Sequence, residues 1–362
     1  MNESNALRAV LQDHFDWHSA RLSCFAAFVV AFVVALVKVR TVNLTEVALA
    51  LNPAVKVASN YRRLQRFLAG FEVDFEAVAR LMLALVPVKD DFVVTIDRTN
   101  WQFGRVPINV LMLGVAWRGL AFPILWRLLP KSGNSSTDER IALMKRFLHV
   151  VGGAKRVRAV VADRELIGQR WLAFLEREGL PFVIRIRKNA QIGARGRAKA
   201  ACMCFASLGV GQSQVLRSKR FVYGRKLFVI GLRLGLPSVK DPLLILVTSS
   251  DPRRAIGLYA KRWEIETLFG ALKSRGFGFE DTHLTDPERI EKLVALLAMA
   301  FAWAYLIGDW LDRTVKPIPR KSHGRRARSV FRYGLDHLRF VLLNIAAKIK
   351  AFFACLNVLS CT

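Results

Sequence analysis

Acids are scarce in this chain, and three of them stand where acids could do chemistry. Lys and Arg total 56 against 28 Asp and Glu in 362 residues, a net charge of +28. Asp97 closes the apolar run F-V-V-T-I, and Asp163 closes R-A-V-V-A. Glu266 lies within residues 259–273, Y-A-K-R-W-E-I-E-T-L-F-G-A-L-K, which hold no proline and one glycine and read as a helix. At about 100° per residue, Tyr259, Arg262, Glu266 and Lys273 fall within roughly 60° of one another. Leu258, Ile265, Leu268, Phe269 and Leu272 form the apolar stripe beside them. Three carboxylates from two strands and a helix make an oxygen-ligand set suited to Mg²⁺ or Mn²⁺. Two such ions about 4 Å apart can activate water or a 3′-hydroxyl and steady the leaving oxygen of an in-line phosphodiester attack. Each acid also has a plainer reading. An Asp after a strand is often a turn former, and Glu266 could be the i,i+4 salt-bridge partner of Arg262.

The elements that must position these residues change character along the chain. Residues 1–90 read as helical, with Asn43 or Thr45 as a cap and Y-R-R-L-Q-R-F from Tyr61 as an amphipathic helix. Its Arg62 and Arg63 could dock on DNA phosphates or base edges, or could belong to a solvated face. Residues 91–187 read as three strands, helix, strand, helix, strand, with a Ser136/Glu139 capping box opening the first helix. That order is the ribonuclease-H-like layout: an α/β fold with a mixed sheet flanked by helices, whose first and fourth strands are neighbours. Residues 188–250 read as a β-rich insertion, with Cys202 and Cys204 packing in its early part. Residues 251–313 return to the core, with the helix that carries Glu266 and a long helix opened by a Thr285/Glu288 capping box. In residues 314–362 a basic run carrying Arg325 and Arg326 reads as a mobile, phosphate-seeking arm, followed by one apolar helix.

Composition bounds the partners. So large a cationic excess predicts a polyanion, either nucleic acid or an anionic membrane surface. Residues 22–37 are an uncharged run of 16 residues, short of the roughly 18–20 that span a bilayer, and read as a buried helix. Five cysteines without a C-x-x-C pair predict reduced thiols in the cytoplasm rather than a disulfide framework. His14 and His18 are four residues apart but lack the further ligands of a zinc site.

The spacing Y-x2-R-x3-E-x6-K, with V-T-I-D at Asp97 and V-V-A-D-R-E at Asp163, resembles the signature of a large group of bacterial insertion-sequence transposases with a DDE active site. The resemblance covers about residues 40–335. It implies that Asp97, Asp163 and Glu266 are the metal triad, with Mg²⁺ or Mn²⁺ as two ions. It further implies that Tyr259, Arg262 and Lys273 hold the DNA backbone around the scissile phosphate. The expected partners are double-stranded DNA, both element terminal repeats and target, and a second copy of the chain in a synaptic complex, with no membrane. The expected setting is the nucleoid-associated cytoplasm of a bacterium. Trp263 could stack on a flipped base or pack in the core. Glu165 could compete as a ligand, and Arg98 could sit beside the metals or point across the sheet. A ribonuclease-H-like nuclease or resolvase, and a DNA-binding derivative without catalysis, remain the competing readings.

Overall fold

The computed structural model describes residues 20–193, 197–235, 242–322 and 324–360. His14, His18 and Cys361, and the side chain of Cys24, lie outside what is described. Among the described residues, four helices come first: α1 (Ala20–Val39), α2 (Leu44–Leu51), α3 (Val57–Gly70) and α4 (Phe75–Leu85). Then follow β1 (Phe92–Phe103), β2 (Val106–Trp117), β3 (Leu120–Leu128), α5 (Thr137–Val151), β4 (Val157–Ala162), α6 (Gln169–Arg177) and β5 (Phe182–Arg185). The next stretch is β apart from a 3-10 turn at Ala201–Phe205: β6 (Gln191–Ile192), β7 (Lys199–Ala200), β8 (Ser213–Val215), β9 (Arg220–Val222), β10 (Arg225–Arg233) and β11 (Leu243–Thr248). Helices close the chain: α7 (Ala255–Ala260), α8 (Trp263–Leu272), α9 (Pro287–Trp310), α10 (Val330–Leu343) and α11 (Ile349–Ser360). The chain divides into two compact units. One comprises Met1–Pro87, Asn100–Asn109 and Thr267–Thr362; the other comprises Val88–Thr99 and Val110–Glu266.

The second unit is built on the sheet. Its strands run in the order β3-β2-β1-β4-β5-β11-β10-β9-β6-β7, with β8 paired to β10. β1–β4 and β4–β5 are parallel, whereas β2–β3, β5–β11 and β10–β11 are antiparallel. The first five strands have the ribonuclease-H-like order. Parallel central strands are covered on both faces, so they read as unbroken apolar runs such as Val160, Val161 and Ala162, all with no exposed surface. Ser136 and Glu139 form the reciprocal capping box that starts α5. Gly114 is required at the β2–β3 bulge, because a Cβ there would lie 2.8 Å from the carbonyl oxygen of Phe122.

The strand β1 does not end at Asp97; it continues to Phe103, because its outer half pairs with β2 in a long hairpin. What changes at Asp97 is burial, from a buried run to half-exposed residues.

The first unit is helical. Asn43 caps α2, accepting from the Thr45 amide at 3.0 Å. Nearly all of α9 is buried, from Ile290 to Asp309. It is a helix long and apolar enough to cross a membrane, yet it is sheathed within its own unit. The inner half of α1, including Val30, Phe32 and Leu36, is likewise buried. α9 and α10 meet at Gly308 and Gly334, where a Cβ on either would overlap backbone of the other helix.

Three expectations need correcting here. Asp286 rather than Thr285 caps α9, accepting from the Arg289 amide at 2.9 Å. The apolar C-terminus is two helices, α10 and α11, rather than one. The basic run is a folded turn: Lys321 donates to the Arg325 carbonyl, Ala327 to Pro319, and Asp312 clasps Arg326 at 2.8 Å and the Ile318 amide at 2.6 Å. One half-buried carboxylate organises what composition alone read as an arm.

Candidate active site

Side chains alternate across a strand, so every second residue shares a face. Val93, Thr95 and Asp97 form one row on β1, and Ala159, Val161 and Asp163 form the matching row at β4. The parallel register pairs Thr95 with Val161 and Ile96 with Ala162. Its next step sets Asp97 beside Asp163. The β4–β5 register pairs Ala162 with Ile184, and its next step adds Arg185 to the same row. Val93, Ala159, Val161 and Val183 on this face pack with Leu258 and Tyr259 of α7 in one apolar cluster. The core stripe of α7 thereby holds its polar residues over the two aspartates.

The expected single helix over residues 259–273 is two. α7 ends at Ala260, and the chain takes tight i→i−3 bonds, Lys261 to Leu258 at 3.1 Å and Arg262 to Tyr259 at 2.9 Å, before α8 begins. The tightened turn separates the targets of Tyr259 and Arg262. The Tyr259 hydroxyl donates to Asp163 Oδ1 at 3.1 Å. Arg262 donates through Nη1 to Asp97 Oδ2 at 3.2 Å and through Nη2 to Glu266 Oε1 at 2.7 Å. The i,i+4 pair read from the sequence is therefore present. It forms one arm of a bridge between two candidate ligands. The Arg262 guanidinium is 5% exposed, and its Nε is buried without an acceptor. Arg185 Nη1 lies 3.9 Å from Asp163 Oδ1.

Electrostatics follow from this crowding. Burial pushes the Asp97 carboxyl up to about 6, and the charges of Glu165 and Glu266 add to it; the Arg98 amide and Arg262 oppose. Burial also raises the Tyr259 phenol, reinforced by the Asp163 charge, so it stays protonated and serves as a donor. For Arg262, burial alone would lower the pKa, but Tyr259, Glu266 and Asp163 outweigh it and the net shift is upward.

Arg98 does not stand beside the two aspartates as a loose cation. It grips Glu165 with Nε at 3.2 Å and Nη2 at 3.1 Å, and donates to Asn134 at 3.1 Å. Glu165 is therefore engaged by a fork-on-carboxylate pair. Trp263 is 57% exposed with the Arg262 guanidinium 4.4 Å from its ring, so core packing is excluded for it. Two residues escaped the sequence reading. Arg185 was visible only as a cation ending P-F-V-I-R. Glu264 faces the backbone N–H groups of Gly119, Trp117 and Leu120 in the β2–β3 turn, and burial raises its carboxyl.

The remaining site candidates lie in the other unit. Lys273 pairs with Glu280 at 2.7 Å and lies over the Trp101 ring at 5.3 Å. Arg62 and Arg63 are exposed on α3 without an acidic partner among the described residues, whereas Arg326 is held by Asp312. Arg325 sits in the same turn, its carbonyl taken by Lys321.

Among the described residues no three His, Cys, Asp or Glu side chains converge as a ready metal cluster. The donor chemistry nonetheless fits a hard divalent cation: all three acids offer oxygen, and a carboxyl raised by burial and like charge is a group that a cation would relieve.

A ribonuclease-H-like sheet with paired aspartates at its centre defines the class of fold and site. Residues 94–303 match the transposase DDE domain family, more than half of the chain, and the protein belongs to that family. A cryo-EM structure of a piggyBac transposase synaptic complex with hairpin DNA is similar at a TM-score of 0.46 and 12% identity, over 96% of this chain and 72% of that one. No curated protein sequence matches.

Proposed function

We propose that the protein is the transposase of a bacterial insertion sequence, acting in the cytoplasm by a cut-and-paste route and belonging to the group with the Y-x2-R-x3-E-x6-K signature. The observation that carries this reading is the row of Asp97 and Asp163 on neighbouring strands, with Arg262 joining Asp97 to Glu266. Asp97, Asp163 and Glu266 would hold two Mg²⁺ or Mn²⁺ ions, in keeping with the general use of divalent metals in the family. When bound, such ions supply activation of water or a 3′-hydroxyl and stabilise the leaving oxygen. The chain's own residues do the rest. Tyr259, neutral at working pH, donates to Asp163 and fixes its carboxylate. Arg262 orients a phosphate with the fork geometry that its two carboxylate contacts now use. Trp263 offers an exposed face for stacking on an unpaired base. Lys273, Arg62, Arg63, Arg325 and Arg326 hold the duplex backbone through charge. Two element ends must be joined together, so the working form is a dimer or larger.

A binding-only derivative is the second reading, favoured by one feature: Arg262 already neutralises Asp97 and Glu266. A donor plasmid carrying the element separates the two. Double-strand breaks at both ends followed by a joined target product support transposition. Retention of the plasmid intact, with specific binding of the ends, supports the second.

A further inference from the structure

Between Pro181 and Lys240 the chain has thirteen lysines and arginines and no aspartate or glutamate. Residues 98–137 are also free of acids, but they carry five cations in forty residues against thirteen in these sixty. The structure shows where these cations go. β9 and β10 pair antiparallel with Arg225 opposite Val222, Lys226 opposite Phe221 and Leu227 opposite Arg220. Val222 and Leu227 point into the core. The opposite face carries Phe221 and Lys226, and the Lys226 ammonium lies 5.4 Å from the Phe221 ring. Lys219 covers Phe228 in the same way at 5.0 Å. Phe221 remains 42% exposed. Arg225 is the exception that shows the contrast: it turns to Glu176 of α6 at 3.5 Å and serves the fold. Arg217, Lys219 and Lys226 are exposed, and none has an acidic partner among the described residues, whereas Arg220 is paired with Leu227 and belongs to the other row.

Lysines on edge strands also discourage sheet-to-sheet aggregation. Glutamate would serve that purpose equally, so edge protection does not account for sixty residues without one acid. Cations interleaved with aromatics, unpaired and solvent-facing, fit a polyanion with a repeating charge.

We propose that the outward face of the β9–β10 hairpin and the segment leading into it form a further DNA-binding surface, holding duplex phosphates through Arg217, Lys219 and Lys226 without reading bases. This rests on the transposase reading for its choice of duplex DNA. The contact is additional to Arg62, Arg63, Arg325 and Arg326.

The test measures binding of a random-sequence 40-base-pair duplex across a salt series, with wild type and with Arg217, Lys219 and Lys226 all changed to Gln. Each lost phosphate contact lowers the slope of log K against log salt by about 0.9, so the three together should lower it by roughly 2.7 and weaken binding at least tenfold at low salt. A slope equal to wild type overturns the proposal. A second measurement needs no substitution: acylation of Lys219 and Lys226 in the wild-type protein should fall on adding the duplex, and equal labelling counts against the surface. Unchanged duplex binding with lost binding to phosphatidylserine vesicles would assign the surface to a membrane instead. If wild type binds no duplex at all, the transposase reading itself falls, a result distinct from failure of this surface alone.

Discussion

Replacing Asp97 by Asn should make the metal-free protein more stable from neutral pH upward, and not at pH 4. The Asp97 side chain is 13% exposed, and its carboxyl is raised from the ordinary 3.8 to about 6, chiefly by burial. A carboxyl raised in the folded state binds protons more tightly there than in the unfolded chain. Its contribution is therefore neutral below about pH 4, becomes unfavourable as pH rises toward 6, and stays unfavourable above. A shift of about two units at 1.36 kcal/mol each bounds the penalty near 3 kcal/mol. Arg262 offsets part of the gain, because it loses a charged partner while keeping an amide oxygen to donate to. The expected net gain is about 1–3 kcal/mol at pH 8 and none at pH 4. Urea unfolding in chelator at pH 4, 6 and 8, with wild type alongside, reads this directly. A variant less stable than wild type at pH 8, or a gain of equal size at pH 4, would refute the reasoning.

Other substitutions probe the neighbouring parts. Arg262→Met removes the cation shared by Asp97 and Glu266 and should destabilise by about 2–4 kcal/mol, the lower half applying because Glu266 is 43% exposed; urea unfolding at pH 8 checks it. Tyr259→Phe strips the donor from Asp163 and should cost about 1–2 kcal/mol in the same assay. Gly334→Ala places a Cβ on the backbone of α9 and should cost more than about 2 kcal/mol while leaving the pH response of the Asp97→Asn variant intact. Asp312→Asn should loosen the basic turn, seen as faster proteolysis at Arg325 and Arg326 with little change in global unfolding.

Much of the central sheet was legible because its signals are local. Unbroken apolar runs, the Ser136/Glu139 box and the alternation of strands with helices depend on neighbours in sequence. The rows through Asp97 and Asp163 were legible for the same reason, since period-two alternation and parallel pairing follow from the strand order. What was not legible depends on distant partners. The break after Ala260 is a change of backbone bonding that helix formers such as Lys261 and Arg262 do not announce. Arg185 enters the site only because β5 lies beside β4. The folded basic turn needs Asp312, which composition counted as one acid among many cations. The pairing of Lys273 with Glu280 could not be read from a helical wheel that ended at Lys273.

The central claim is that Asp97, Asp163 and Glu266 act together on phosphodiester bonds of DNA. Its most direct test is cleavage of an end-labelled element terminus by purified protein with Mg²⁺ or Mn²⁺, compared with Asp97→Asn, Asp163→Asn and Glu266→Gln. The account predicts metal-dependent cutting at the element end by wild type, and loss of cutting in all three variants while end binding persists. Cutting that survives any of the three substitutions would contradict it.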